Sequence, residues 1–573
     1  MDTTIVFASN VPPATIAGRV RRGELARLAA GVYTSDVTSD PGAVTAREWP
    51  AIAGGLFPGA VVTDRSAVTG GPVDGVLYLA RDGRARDVEL PGLRVTARPG
   101  AGPLDGDIPL PGGLYQASRG RALAENARPS RSRAGRARRT LDTAELGDWV
   151  DRLCQSDGPQ RLARYRAQAE QVASLVDAPQ DAVTALSQMI GAALGTKEIV
   201  TPSRALTARQ ASLPYDQDRI RLFRQLADSL RLSAPQNRPV ADPRDPRYEY
   251  LPFFEAYFSN FIEGTEFELD EAVAVVYEGK QVPGRADDTH DLVGTYMVVA
   301  DLAGITTLAA TPQEFLDLLR SRHATIMGGR PDNRPGVFKE AANRAGDSLF
   351  VLPGLVAGTL RAGWEGAAAL DTAFERAVYM MFLVSEVHPF DDGNGRVARV
   401  MMNAELASGG QSRIIIPTVF RDDYLGGLRQ LTRRGDSSVL IKVLRYGHDY
   451  TARIDFSSLA RATEMLHATN AFNEPGSSER LRLPDASYLS QGRQSVLLCH
   501  ARGSQIAFAG QSALLPGDGV VQVATARGPA APGRGAPGVA RADQVLEFAA
   551  GFISGFGVVV AAGPAGDRGH RDA

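Results

Sequence analysis

Residues 388–399 combine side chains that suit the chemistry of a nucleoside triphosphate and its metal ion. Their sequence is HPFDDGNGRVAR. His388 offers an imidazole with an ordinary pKa of ~6.5, which can accept a proton at cellular pH. The segment also offers a carboxylate of the kind that holds Mg²⁺ together with phosphate oxygens. The glycines on both sides of Asn394 allow successive backbone N–H groups to face an anion. The segment therefore predicts a phosphate site beside a general base.

Helices on both sides must position these groups. Residues 374–387 place apolar side chains at helical spacing and predict a buried helix, which Pro389 ends at or just after His388. A second helix begins near Arg396, and its positive end adds to the anion site. Arg399 lies three residues further on, so both guanidinium groups point to one side and can bind separate phosphate oxygens.

The segment matches, at every defined position, the signature HPFx[DE]GNGRxxR of the Fic family of nucleotidyl transferases, which the chain resembles over roughly residues 245–450. The resemblance implies an enzyme that moves AMP from Mg·ATP onto a Ser, Thr or Tyr hydroxyl of a target protein. In it, His388 would be the base and Asp392 the Mg²⁺ ligand. The other implied site residues are a phosphate cradle of Gly393, Asn394 and Gly395 and a polyphosphate clamp of Arg396 and Arg399.

The fold that the resemblance implies is an all-helical core with a β-hairpin flap over the active site. Residues 328–364, rich in Gly, Pro, Asn and Arg, resemble that flap, which docks an extended target segment by strand addition. Relatives often place an aromatic residue against the adenine after the signature. Tyr424 is the candidate here, although a core tyrosine fits the same position. His290 and His323 are expected to be structural or exposed.

A second motif lies ahead of the signature, at the end of an apolar helix expected over residues 248–263. Ser259 to Gly264 read SNFIEG and match the family's inhibitory motif [ST]xxxE[GN]. The resemblance implies that Glu263 pairs with Arg399 and displaces the γ-phosphate of ATP. A carboxylate can replace a phosphate oxygen in such a contact. The alternative is an ordinary helix end with a glycine cap.

The composition limits which partners, metal sites and cellular locations can be expected. The chain has 573 residues, a size typical of three or four domains, with a net charge of −2. No overall basicity indicates nucleic acid as the main partner. Two distant cysteines without a CxxC motif favour neither a disulfide framework nor zinc, so a reducing, cytoplasmic location is expected. No signal peptide is predicted, and the apolar run 548–563 falls short of the ~20 residues that a membrane helix needs. The arginine-rich composition is typical of GC-rich bacterial genomes.

The N-terminal 36 residues resemble the start of AbiEi-like winged-helix antitoxin regulators. A short basic helix, a turn at Gly23 and an apolar hairpin are expected over residues 14–33. The basic residues that would meet DNA are Arg19, Arg21, Arg22 and Arg27. About a dozen residues precede this helix, too few for the two supporting helices of such a unit. A small adaptor with an ordinary charged face fits equally well.

The expected organisation is mainly α, with a small α+β or winged-helix-like region ahead of the helical core. The segments are 1–36, winged-helix-like; 37–140, a small α+β domain ending in an arginine-rich loop; 141–236, a helical connector; 245–450, the Fic-like core; and 485–573, a disordered Gly/Ala-rich tail. The loop, residues 119–139, holds eight arginines against Glu125. It fits either a nucleic-acid backbone or, more commonly, a solvated linker.

Three readings of function remain open. The first is autoinhibited AMP transfer. The second keeps the site but transfers another nucleotide or removes AMP, since the sequence does not define the base pocket. The third is a DNA-binding regulator whose N-terminal region and residues 119–139 bind DNA while the core senses nucleotide. The expected partners are ATP and a protein target. The oligomeric state is not fixed, and a homodimer is one option.

Overall fold

The computed structural model describes residues 4–131, 138–346 and 348–484. Helices dominate it, as expected, and sheets occur mainly near the N-terminus. The predictions for residues 485–573 lie outside the described residues. Among the helices that are described, none is long and apolar enough to cross a membrane.

The N-terminal unit has the predicted order of helix, turn and hairpin. Its elements are β1 (Ile5–Phe7), α1 (Pro13–Arg21), β2 (Ala26–Ala29) and β3 (Val32–Thr34). The strands form an antiparallel sheet in the order β1-β3-β2. Gly23 makes the turn with a φ of +73°, a conformation that glycine adopts without strain. In the described residues ahead of β2, α1 is the only α-helix.

A second sheet follows, and it forms a small α+β unit. Its elements are α2 (Pro41–Leu56), β4 (Val61–Val62), α3 (Asp64–Thr69), β5 (Val76–Arg81), β6 (Arg86–Leu90), β7 (Leu93–Pro99), β8 (Ile108–Leu110), β9 (Leu114–Gln116) and α4 (Arg119–Ala127). The strand order is β6-β7-β5-β4-β9-β8, with parallel pairs β5/β7 and β4/β9.

The prediction of an arginine-rich loop is wrong for its first nine residues, which form α4. Ser118 caps this helix by accepting a hydrogen bond from the Arg121 amide. The Arg121 side chain is fully buried and forms ion pairs with Asp107 and Glu125. It therefore holds the fold together and is not available to a nucleic acid. The sequence did not reveal this, because Asp107 lies on a separate segment. Residues 132–137 lie outside the described part.

The helical segment expected over residues 141–236 divides between two hydrophobic cores. Its helices are α5 (Thr143–Asp157), α6 (Pro159–Val172), α7 (Gln180–Ala193), α8 (Arg204–Gln210) and α9 (Gln217–Leu232). Helices α5 to α8 share a core with α4. The apolar face of α9, with Phe223 and Leu226, instead packs into the core of the following unit. The connector thus ends before α9 and not at the proline-rich segment 237–247.

The third core contains the predicted site. Its further helices are α10 (Leu251–Ile262), α11 (Leu269–Glu278), α12 (Ala286–Ala300), α13 (Leu302–Ile305), α14 (Pro312–Ile326), α15 (Val356–Gly366), α16 (Ala373–Val387), α17 (Asn394–Ser408), α18 (Arg421–Arg434), α19 (Ser438–Thr451) and α20 (Leu459–Ala468). Strands β10 (Arg344–Ala345) and β11 (Ser348–Leu349) pair as a short antiparallel hairpin. Helices α16 and α17 are almost entirely buried and carry the signature between them.

Candidate nucleotide site

His388 lies at the end of α16 in a left-handed backbone conformation, with a φ of +52°. Its Nδ1 lies 3.2 Å from the carbonyl oxygen of Ser385. Because a carbonyl can only accept, Nδ1 carries the proton and Nε2 carries the lone pair. The ring of Phe350 stacks on the imidazole with centroids 3.8 Å apart. Burial lowers the pKa of His388 to about 4, so the expectation of an ordinary pKa is wrong. The imidazole is neutral at cellular pH and can accept a proton.

The loop between α16 and α17 is held by its own side chains. Asn394 accepts a hydrogen bond from the Phe390 amide at 2.8 Å and donates one to the Phe390 carbonyl at 2.9 Å. Its side chain therefore fixes the loop, so any cradle for phosphate must come from the backbone. Gly393 supplies a φ of +72° directly before α17 begins. The turn leaves the N-terminal end of α17 facing the site, as predicted.

His323 on α14 supports the same loop from behind. The Gly336 amide donates to Nδ1 at 2.8 Å, so Nε2 carries the proton and donates to the Asp392 carbonyl at 3.0 Å. Its ring is fully buried and stacks on Phe390 with centroids 3.7 Å apart. His323 is thus structural, as expected. Its role in holding the loop depends on a contact across the fold that the sequence does not show.

Asp392 presents a half-exposed carboxylate beside the anion loop. One oxygen accepts a hydrogen bond from the Gly393 amide at 2.7 Å, and the other from Asn333 at 3.2 Å. The described residues contain no group of three or more acidic, histidine or cysteine side chains placed to hold a metal ion. One carboxylate with open surroundings fits Mg²⁺ that is held mainly by phosphate and water.

The two signature arginines are buried and already engaged by carboxylates. Arg396 forms an ion pair with Asp291 on α12 and donates to the Asn260 side chain at 3.3 Å. Arg399 donates through Nε to the Ser259 hydroxyl at 2.9 Å and through its second terminal nitrogen to Glu263 at 2.7 Å. The sequence indicated the pair of Glu263 with Arg399 but missed Asp291, whose helix carries no motif.

The close approach of Glu263 depends on Gly395. A Cβ at Gly395 would collide with the Glu263 carboxylate, which is itself at contact distance from Arg399. Gly264 follows α10 with a φ of +90°, where its missing side chain allows the chain to turn away from the site. The structure therefore brings Ser259, Glu263 and Gly264 to the predicted place.

Tyr424 does not fit the role of an adenine contact. Its side chain is 1% exposed, and its hydroxyl lies 3.3 Å from the sulfur of Met381 in the core. Burial raises the pKa of its hydroxyl. The burial of the ring supports the alternative of a core tyrosine, which the sequence left open.

The β10–β11 hairpin lies in the region expected for the flap. Before the hairpin, the Lys339 amide donates to the Pro389 carbonyl at 2.9 Å, and its ammonium donates to the Asn343 side chain at 2.6 Å. Asn343 in turn donates to the Phe390 carbonyl at 2.9 Å. Burial lowers the pKa of Lys339 to about 8. The start of the flap is therefore tied directly to the signature loop.

Comparison with known proteins supports the resemblance. Residues 314–406, which include the signature, match the Fic/DOC family. The predicted resemblance to this family is confirmed for this part of the chain. The AbiEi-like resemblance of the N-terminal unit stays a prediction.

Relatives with similar sequences are protein adenylyltransferases. The chain is 26% identical over 182 residues to protein adenylyltransferase fic-1 of Caenorhabditis briggsae, covering 31% of this chain and 36% of the relative. It is 27% identical over 256 residues to protein adenylyltransferase Fic of Nematostella vectensis, covering 42% and 57%. The chain thus spans between about a third and three fifths of the length of these two relatives.

Among solved structures, Fic-1 (residues 134–508) of Caenorhabditis elegans matches with a TM-score of 0.33 and 16% identity, covering 56% of this chain and 89% of that one.

Proposed function

We propose that the protein is a Fic-type adenylyltransferase that transfers AMP from ATP to a hydroxyl group of a target protein. The observation that supports it most directly is the arrangement of the signature. A neutral His388 with its lone pair on Nε2 adjoins an anion-binding loop, and two arginines follow on α17. A proton acceptor and phosphate-binding groups thus lie together at one short loop.

The reaction is an in-line displacement at the α-phosphorus. The target hydroxyl oxygen forms a bond to phosphorus while the bond to the bridging oxygen of the β-phosphate breaks, and pyrophosphate leaves. The hydroxyl proton passes to the lone pair on Nε2 of His388, which acts as the general base. The backbone amides of Asn394 and Gly395, at the N-terminal end of α17, and the guanidinium groups stabilise the charge on the phosphates. When bound at Asp392, Mg²⁺ would neutralise phosphate charge and favour departure of pyrophosphate.

The proposal includes autoinhibition by α10. Arg399 is 5% exposed and is held by both Ser259 and Glu263. A γ-phosphate that uses Arg399 must displace the Glu263 carboxylate, because a buried guanidinium has few open donors. The wild-type protein is therefore expected to bind ATP in a poorly reactive geometry.

Labelling with radioactive ATP tests the proposal. Glu263→Gly protein should transfer label from the α-phosphate but not from the γ-phosphate to protein, at least about ten-fold faster than wild type. His388→Ala in the same background should abolish transfer. Glu266→Gly, which removes an exposed carboxylate nearby, is the matched control. Equal labelling by wild type, Glu263→Gly and His388→Ala would contradict the proposal.

The same experiment separates the variants of this chemistry. Supplying each of the four nucleoside triphosphates identifies the co-substrate. Incubating AMP-modified target with wild type and with Glu263→Gly tests whether the protein removes AMP instead. In that reaction Glu263 would position water, so its loss would stop AMP removal. Chelation of Mg²⁺, or Asp392→Ala, should reduce transfer in either direction.

A second function, DNA binding, is favoured by the basic surface of the N-terminal unit. Arg21 and Arg27 are exposed there, whereas Arg22 forms an ion pair with Glu24 at 2.6 Å. Gel-shift titration of the full chain at several salt concentrations, with Arg21→Ala/Arg27→Ala as comparison, measures it. Binding that is sequence-specific and lost in the variant supports a regulator, while its absence in both assigns the unit to another role.

A further inference from the structure

The guanidinium group of Arg219 connects the end of the β10–β11 hairpin to the C-terminal end of α16. Arg219 lies in the first turn of α9. One of its terminal nitrogens forms an ion pair with Glu386 at 2.7 Å, and the other donates to the Leu349 carbonyl at 2.7 Å. Leu349 is the last residue of β11, and Glu386 is the penultimate residue of α16. Arg219 thus joins two segments that the chain itself separates by more than thirty residues.

The two contacts lie next to the stacked pair of Phe350 and His388. Phe350 directly follows Leu349, and His388 is two residues beyond Glu386. The stack is close and nearly parallel, with an angle of 4° between the rings. A group that fixes the separation of Leu349 and Glu386 therefore also fixes the aromatic ring against the imidazole.

Arg219 is itself attached to a rigid support. The Asp216 carboxylate caps α9, and its backbone amide donates to the Thr359 hydroxyl on α15 at 2.9 Å. A Cβ at Gly358 would collide with the backbone carbonyls of Leu213 and Pro214, so the start of α9 packs directly on α15. The N-terminal ends of α9 and α15 are therefore expected to move together. The guanidinium is held in place by this packing.

Glu386 is equally well fixed. Its side chain is 3% exposed, and its second oxygen accepts a hydrogen bond from Thr432 on α18 at 2.6 Å. A buried carboxylate with an arginine and a hydroxyl partner is stable only while both remain. At the other end, Lys339 and Asn343 bind the start of the flap to the signature loop. The hairpin is therefore anchored at its start by the loop and at its end by Arg219.

We propose that Arg219 is a positioning residue that holds the flap against α16, so that Phe350 stacks on His388 and an incoming hydroxyl meets the imidazole at one edge. The proposal rests on the function proposed above for His388. Arg219 does not touch the phosphate-binding groups, which lie on the loop and on α17. Its loss should therefore affect transfer and leave nucleotide binding unchanged.

Kinetics in the Glu263→Gly background test the assignment. Arg219→Gln should lower kcat for transfer by about ten- to a hundred-fold, because misplacing a base by about 1 Å has that effect, while the Kd for ATP stays within about two-fold. Arg219→Lys should recover part of the rate, and Glu386→Gln should resemble Arg219→Gln. The matched control is Arg221→Gln, which removes an exposed arginine from the same turn of α9.

A readout that is independent of activity completes the test. With isotope-labelled histidine, and His388→Ala for assignment, NMR titration should show the pKa of His388 near 4 in the parent and closer to its usual value in Arg219→Gln, since release of Phe350 exposes the ring. An unchanged titration, or parallel losses in ATP affinity and rate, would overturn the role of Arg219. If the parent transfers no AMP, the proposed function fails, and the titration alone then decides whether Arg219 holds the flap.

Discussion

At the scale of single residues, His388 combines a neutral ring with a fixed tautomer. The base form exists above its folded pKa of about 4, so protonation should not limit transfer between pH 6 and 8. In Glu263→Gly protein we expect no loss of rate near pH 6.5, where an ordinary histidine titrates, and a decline only below about pH 5. Single-turnover rates between pH 4.5 and 8 measure this. A midpoint near 6.5 would show that the ring is exposed to water in the reacting complex.

Asp291 supplies the second residue-scale prediction. It is fully buried and binds both Arg396 and Arg330, the latter at 2.8 Å. Asp291→Asn leaves the buried Arg396 with only the more distant Asp392 carboxylate, at 3.8 Å, so we expect the free energy of unfolding to fall by about 3–5 kcal/mol. Urea denaturation provides the measurement. Asp288→Asn removes a more exposed carboxylate beside Arg330 and should cost about 1 kcal/mol or less. Equal losses would contradict the buried role of Asp291.

At the scale of elements, α10 is bound to α17 by a series of side-chain hydrogen bonds along its length. Glu255 accepts from Asn403 at 2.8 Å, and Ser259 and Asn260 contact the two signature arginines. Helix α10 is therefore part of the core, and under the proposed autoinhibition the whole helix need not leave to free Arg399. A shift of its last turn is sufficient, since Glu263 lies just beyond the end of α10 with its side chain 30% exposed.

This arrangement predicts graded effects of substitutions at the end of α10. Ser259→Ala removes one of the contacts to Arg399 and keeps Glu263, so we expect a smaller gain in transfer than Glu263→Gly gives. The double variant should gain less than the product of the two single effects, because both act on one guanidinium. Initial rates of labelling measure all three. Multiplicative gains would mean that Ser259 acts through something other than Arg399.

Local signals explain which elements the sequence could predict. The end of α16 at Val387, just before His388 and Pro389, is where the sequence predicted it. The start of α4 has a cap at Ser118, but eight arginines in the stretch suggested a loop. A buried arginine such as Arg121 becomes plausible only when its partners are known, and these come from other segments.

The same limit applies to the site. The signature and the inhibitory motif are local patterns, so their positions followed from the sequence. Asp291, His323 and Arg219 contact residues between 69 and 167 positions away, counted from the numbering of Arg396, Asp392 and Glu386. No motif marks them. The fold alone brings them to the loop, the clamp and the flap.

At the scale of the whole molecule, three hydrophobic cores succeed one another along the chain, and α9 lies in the last of them. This helix follows the second core directly and carries Arg219. Arg219 and Glu263 therefore contact the surroundings of the signature from two different segments of the chain.

Buried neutral histidines give the molecule a characteristic response to acid. His448 is fully buried in the third core, where burial lowers its pKa to about 4. Between pH 6.5 and 4 the unfolded chain takes up a proton that the folded chain does not, so stability falls on acidification, by roughly 2 kcal/mol for this residue between pH 8 and 5. His448→Leu should lose this contribution. The difference in unfolding free energy between wild type and His448→Leu should therefore shift by that amount in favour of the variant at pH 5. His467→Leu, at an exposed site, is the control, and a pH-independent difference for His448→Leu would mean that the folded core accommodates the imidazolium.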